Sequence, residues 1–249
     1  MAATAPMLRA CLLVYPSLAI YVLLGGLLFV PLTWIIRDIR PIYWVARTGV
    51  RLALFLSGVK VDWVGLDLAW KPKTAIYVSN HISNIDPPAL FGGLPRIAVI
   101  LKKELRKIPL LGYIMGMGGF IYVDRKARNS RKHALEAGVA TLRDGISLLI
   151  FPEGTRSKTD EMLPFRPGPF TMAIEAGAPL VPITVHGTRE LMPKGTLAIR
   201  PGRIRIICRE PIATEGLRAT DRPALMDRVR AIMQQDLDAH AKTGSSSLE

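Results

Sequence analysis

An uncharged run of 26 residues, Cys11 to Ile36, constrains this chain more than any other feature. About 20 apolar residues are enough to cross the hydrocarbon core of a bilayer. A secretory signal has an apolar core of roughly 7–15 residues followed by a small-residue cleavage site. The run here is longer and has no such site before the next charges. A core helix of a soluble domain has no need of that length. Pro16, Gly25-Gly26 and Pro31 punctuate the run, so two shapes stay open: a straight spanning helix, or a kinked or re-entrant pair of helical pieces. Arg37, Arg40, Arg47 and Arg51 follow the run, and only Arg9 precedes it. By the positive-inside tendency, the bulk of the chain faces the cytoplasm.

Pro41 to Ser57 reads as a second helix. Arg40, Arg47 and Arg51 fall near one face, while Ile42, Val45, Leu52 and Phe55 lie largely elsewhere. Tyr43 and Trp44 are amphipathic rings suited to a headgroup layer. The pattern is that of an interfacial helix beside anionic lipid; an ordinary amphipathic helix packed on a domain is the alternative. Residues 1–58 are therefore expected to be membrane-anchoring helices.

From Val59 the periodicity changes. Short apolar runs at Val59–Trp63, Thr74–Ser79, Arg96–Leu101, Phe120–Val123, Ser147–Phe151 and Leu180–Val185 read as strands. Helical spacing separates them, at Ser130–Asp144 and Gly168–Ala176 among others. Arg222–Ala241 reads as a closing amphipathic helix. Leu197–Arg200 and Arg203–Cys208 flank Pro201-Gly202, a hairpin signal that makes the sheet mixed. The expectation is an α/β domain over residues 59–241, a mixed β-sheet flanked by helices, with residues 242–249 as a flexible tail. Ligands in such folds gather where strands end.

The net charge of +13 is spread over both parts, with five Arg against one Asp in residues 1–59. Charge of that size and sign favours an anionic partner: phospholipid, a phosphorylated ligand or nucleic acid. Two cysteines, Cys11 and Cys208, without C-x-x-C spacing, argue against a metal site or a disulfide framework.

Three stretches could carry chemistry. In Asn80-His81-Ile82-Ser83-Asn84-Ile85-Asp86-Pro87-Pro88, a histidine and an aspartate stand five residues apart. Neither helix nor strand brings such positions together. A turn does, and Asn80, Ser83 and Asn84 are turn formers. Asp86 before Pro87 reads as a helix N-cap. On spacing alone, a hydrogen-bonded histidine near a cap explains the pair as well as a catalytic dyad does. The second stretch, Phe151-Pro152-Glu153-Gly154-Thr155-Arg156-Ser157, follows a strand. Its glycine leaves backbone N–H groups accessible to an anion. Arg156 can grip a phosphate with two donors. Glu153 can fix the loop or a substrate hydroxyl. A solvated turn is the plain alternative. The third, Gly118 to Arg125, opens on glycines and closes on a cation at a strand end. Lys102 and Lys103 also end a strand, and one of them should face the site.

Taken together, these stretches resemble the glycerolipid acyltransferase family. Asn80 to Asp86 is similar to its N-H-x-S-x-x-D motif, Gly119 to Arg125 to its second motif, Phe151 to Ser157 to F-P-E-G-T-R-S, and Leu180-Val181-Pro182-Ile183 to its apolar V-P-I run. The four occur in the family's order across roughly residues 70–190. Phe165-Arg166-Pro167-Gly168 departs from the usual F-K-x-G but keeps the cation. Size and N-terminal segment resemble the bacterial members that acylate lysophosphatidate.

That resemblance implies a glycerol-3-phosphate acyltransferase-like fold and transfer of a fatty acyl group, from acyl-CoA or acyl-ACP, to the sn-2 hydroxyl of lysophosphatidic acid, giving phosphatidic acid. His81 would be the general base and Asp86 its orienting partner. Lys102, Arg125, Glu153, Gly154, Thr155 and Arg156 would bind substrate or stabilise the oxyanion. No metal and no cofactor is implied beyond the thioester. The expected partners are membrane phospholipid, lysophosphatidic acid and the acyl donor, with no nucleic acid, at the cytoplasmic face of a bacterial inner membrane. Glycerol 3-phosphate or another lysolipid remains an alternative acceptor. A membrane-tethered nucleic-acid binder would use the charge but lacks any recognition motif. An esterase acting through Ser83 or another serine lacks a G-x-S-x-G elbow.

Overall fold

The apolar run is one rod. In the computed structural model, which describes residues 4–124, 129–159, 161–193 and 195–245, α1 (Thr4–Arg9), a π-helical turn (Ala10–Val14) and α2 (Tyr15–Ile36) follow without a break. Pro16 stands just after the π-helical turn, and the helix runs on through it. The stretch from Ala5 to Ile36 is roughly 48 Å long at 1.5 Å per residue. Only 17% of its most apolar window is buried, so it is no core helix. Leu27, Leu28, Trp34 and Ile35 point outward. Gly25-Gly26 does not break the rod. Instead Gly26 receives the Leu110 side chain where a Cβ would stand.

Arg37, in the left-handed conformation, turns the chain into α3 (Arg40–Leu56). The two helices pack closely because Gly49 leaves room for the Tyr21 ring, whose hydroxyl donates to the Val45 carbonyl at 3.0 Å. Two arginines of α3 are tied to backbone carbonyls of the domain. Arg51 donates to the Gly92 carbonyl at 2.9 Å and Arg47 to that of Leu94, at the carboxyl end of α5 (Asp86–Gly93). Carbonyls at a helix end carry partial negative charge, so cations settle there. Arg40 pairs with Asp38. Trp44 and Phe55 form the outward apolar face of α3.

Seven strands form one sheet in the order β1-β7-β6-β2-β5-β3-β4: β1 (Val59–Val64), β2 (Ile76–Ser79), β3 (Ile97–Lys102), β4 (Ile121–Val123), β5 (Ser147–Ile150), β6 (Leu180–His186) and β7 (Gly202–Cys208). Strands β6, β2, β5, β3 and β4 are mutually parallel. Strand β7 runs antiparallel to β6 and parallel to β1. The sheet is mixed, as expected, but not through the expected hairpin. Residues 197–200 form no strand. Their carbonyls are taken by the N-terminal helices, Leu197 by Tyr15 at 2.6 Å and Ile199 by Arg9 at 3.1 Å, and Pro201 offers no N–H to a ladder.

Two apolar layers cover the sheet. On one face α3, α4 (Leu66–Trp70) and α5 pack on Tyr77, Leu149, Val181 and Ile206. On the other, α7 (Ser130–Arg143), α8 (Gly168–Ala176) and α10 (Arg222–Ser245) pack on Ile76, Val78, Leu148 and Leu180. The short helices α6 (Leu111–Met117) and α9 (Thr188–Leu191) lie in connections. Helix α10 continues past Ala241 to Ser245.

A polar cluster sits where α10 crosses β6. The Thr184 hydroxyl donates to Asp236 at 3.0 Å, and Arg209 pairs with the same carboxylate. His186 is 5% exposed and its ring lies 4.2 Å from that of His240. Burial holds the His186 pKa down at about 4, with His240 and Arg205 acting the same way and Asp236 opposing them. The unfolded chain takes up this proton near pH 6.5 and the folded chain does not. Stability from His186 is thus full above that pH and is lost as pH falls toward 4, by no more than about 3 kcal/mol. The melting temperature should drop between pH 7.5 and 5, and less so in H186F; an equal drop in that variant would assign the effect to other groups.

Candidate active site

The site lies beyond the carboxyl ends of β2 and β5. These strands are neighbours, with Val78 opposite Ile150. The register therefore sets His81 and Glu153, each three residues further on, side by side above the sheet. Both backbone ends of His81 are tied to the neighbouring loop. Its N–H donates to Glu153 Oε1 at 2.9 Å, and its carbonyl accepts from Ser157 N–H at 2.8 Å. The ring stacks on Phe151 with centroids 4.1 Å apart.

The turn brings His81 and Asp86 together as their spacing requires. His81 Nδ1 stands 2.8 Å from Asp86 Oδ2. The same oxygen accepts the N–H groups of Ile82 and Ser83, each at 2.8 Å. A carboxylate can only accept from these neighbours, so Nδ1 carries the proton and the Nε2 lone pair faces away. Asp86 is fully buried, whereas the His81 side chain is 17% exposed. The imidazole is thus the member a substrate can reach.

Asp86 is not a helix cap. It heads α5, but its carboxylate turns back into the turn and makes no capping bond. The next two residues, Pro87 and Pro88, have no N–H to cap. Asn80 holds the turn from the other side. Its carboxamide donates to the Val185 carbonyl at 2.9 Å and accepts Val185 N–H at 2.8 Å, bridging to β6. The Ser83 hydroxyl donates to the Met192 carbonyl at 2.6 Å. Ser79 and Ser83 are both fully buried.

Glu153 takes the first of its two expected roles. It is 3% exposed, and its oxygens receive His81 N–H and Leu163 N–H, each at 2.9 Å. These bonds fix the loop. Burial pushes its pKa up, and the two N–H bonds pull against that. Gly154 has φ +70, the left-handed region that favours glycine. Its own N–H donates to the Phe151 carbonyl at 3.0 Å, so an oxyanion here must be met by other donors. Thr155 is exposed and Arg156 half-buried on the same loop. Lys102 is exposed at the end of β3, two strands from β2, while Lys103 pairs with Asp124 at 2.5 Å. Arg125 lies outside the described residues.

Neither the bridge that Asn80 makes to β6 nor the contacts of Arg230 are legible in the sequence. Both Asn80 and Arg230 of α10 bond to backbone atoms distant in sequence, 105 residues away for Asn80 and 67 and 68 for Arg230. Side-chain patterns carry no trace of such partners.

A family model described as Acyltransferase matches residues 60–186. The 1-acyl-sn-glycerol-3-phosphate acyltransferase alpha of Bos taurus is 33% identical over 181 residues, covering 72% of this chain and 63% of that protein. The chloroplastic 1-acyl-sn-glycerol-3-phosphate acyltransferase BAT2 of Brassica napus is 37% identical over 172 residues, covering 68% and 50%. The chain thus spans between half and two thirds of these two relatives. The crystal structure of the 1-acyl-sn-glycerophosphate acyltransferase PlsC from Thermotoga maritima superposes with a TM-score of 0.83 at 25% identity, covering 94% of this chain and 96% of that one. The matched segment runs from β1 to the end of β6 and contains the His81 turn and the Glu153 loop; the chain belongs to the Acyltransferase family.

Proposed function

We propose that the protein transfers a fatty acyl group from an acyl thioester to the sn-2 hydroxyl of lysophosphatidate at a membrane surface, giving phosphatidate. The observation that carries this reading is the His81–Asp86 contact at 2.8 Å, with the imidazole as the accessible member. An alcohol attacks a thioester slowly until its proton is removed. His81 Nε2 takes that proton as the oxygen bonds to the thioester carbonyl carbon. Asp86 keeps the reactive tautomer and stabilises the imidazolium. The tetrahedral oxyanion then collapses, the C–S bond breaks, and the imidazolium returns its proton to the departing thiolate. The buried serines support direct transfer without an acyl-enzyme. Arg156, with Arg125, holds the acceptor phosphate. Thr155 and Lys102 are assigned to the substrates from the same end of the sheet.

The outward apolar faces of α2 and α3 support a membrane location, since lysophosphatidate and product both reside in the bilayer. The arginines after Ile36 favour the cytoplasmic face, that of the inner membrane in a bacterium. One assay tests the reading. Purified protein is offered lysophosphatidate, glycerol 3-phosphate or lysophosphatidylcholine, each with acyl-CoA and with acyl-ACP. Consumption of lysophosphatidate alone is expected. Transfer to either other acceptor in its place would overturn the substrate, and the productive donor arm names the thioester.

A further inference from the structure

The geometry points to Arg230, on the C-terminal helix α10, as a positioning residue for His81, acting through residues 162–166 and Glu153. The inference rests on His81 being the base. The Arg230 guanidinium donates to two consecutive carbonyls, Leu163 at 2.8 Å and Met162 at 2.9 Å. Its carbon lies 5.3 Å from the centre of the Phe165 ring. A rigid fork suits two adjacent acceptors, which a single ammonium cannot satisfy in the same way. Its base is firm, because Val229 and Met233 on the same helix are fully buried in the core.

The next link is the N–H of Leu163, which donates to Glu153 Oε2. The other oxygen, Oε1, receives the N–H of His81. Arg166 N–H closes the strap on the Pro152 carbonyl at 2.8 Å. One carboxylate therefore joins a strap that Arg230 fixes to the turn that carries the base. The charge of Arg230 also favours ionised Glu153, against the upward push of burial. If the strap loosens, the carboxylate is free to swing and the His81 backbone moves with it. Proton transfer is sensitive to such shifts, and a displacement of about 1 Å can cost about a hundredfold.

The test compares R230M and R230K with the wild type in the full chain, using lysophosphatidate and whichever thioester the wild type accepts. R230M is expected to lower kcat by about 10- to 100-fold with the acceptor KM within about twofold, and R230K should fall between. Because the path runs through Glu153, adding R230M to E153Q should cost less than about twofold more in kcat. Wild-type kcat in R230M, a loss confined to KM, or an equal loss in the E153Q background each overturns the inference. If R230M does not fold, wild-type kcat in R230K does so. H81A separates the two readings: an inactive H81A beside a fully active R230M sinks only the role of Arg230, whereas an active H81A removes the base itself.

Discussion

Alanine at His81 is expected to lower kcat by about 10³-fold while the protein stays folded and membrane-bound, within the range a lost general base gives. The substitution is unusually clean here. Alanine keeps the backbone N–H that Glu153 accepts and the carbonyl that receives Ser157 N–H. Asp86 loses the imidazole but keeps the N–H groups of Ile82 and Ser83 on the same oxygen, so no new unpaired charge is buried. What disappears is the stacking on Phe151 and the proton acceptor. Initial rates, a melting curve and sedimentation with membranes check the three parts. Turnover within tenfold of wild type, in folded protein, would rule out His81 as the base.

The fold was legible where the chain's own periodicity decides it. Helix α8 stands at the expected residues, and strands β1 to β6 lie within two residues of the expected ends. Their apolar runs are bounded by glycine, proline and polar turns, which are local signals. Pairing is not local, and there the reading went astray. Pro201-Gly202 looks like a hairpin, yet β7 finds β1 and β6 while residues 197–200 serve the N-terminal helices. The spacing of Arg47 and Arg51 on α3 likewise gave no sign that carbonyls at the end of α5 bind them. At the site, the His81–Asp86 distance followed from spacing plus turn formers. The role of Glu153 did not, because both its partners are backbone N–H groups. The sequence names the donor's residue type only when the donor is a side chain. Arg230 was invisible for the same reason.

Asparagine at Asp86 is expected to cost about 10³-fold or more in kcat with little change in acceptor KM, the pattern of an orienting carboxylate lost from beside a base. An alternative structural role must first be set aside. Pro87 and Pro88 have no N–H for residue 86 to cap, the Ala89 N–H donates to the Ile85 carbonyl, and the carboxylate faces His81, Ile82 and Ser83. Alanine would strand the two backbone donors in a fully buried site, at about 1–3 kcal/mol each, and would confuse stability with chemistry. Asparagine separates them. With its amide oxygen in the place of Oδ2, all three neighbours keep an acceptor. The NH2 group then takes the place of Oδ1, which is buried and has no hydrogen-bond partner. The reverse orientation would set that NH2 against two N–H donors and is worse. The protein should therefore fold with a modest loss of stability and a near-native turn. What it lacks is the negative charge that stabilises imidazolium as the acceptor's proton arrives. A folded D86N with near-wild-type kcat would confine Asp86 to holding the turn and leave His81 to act alone.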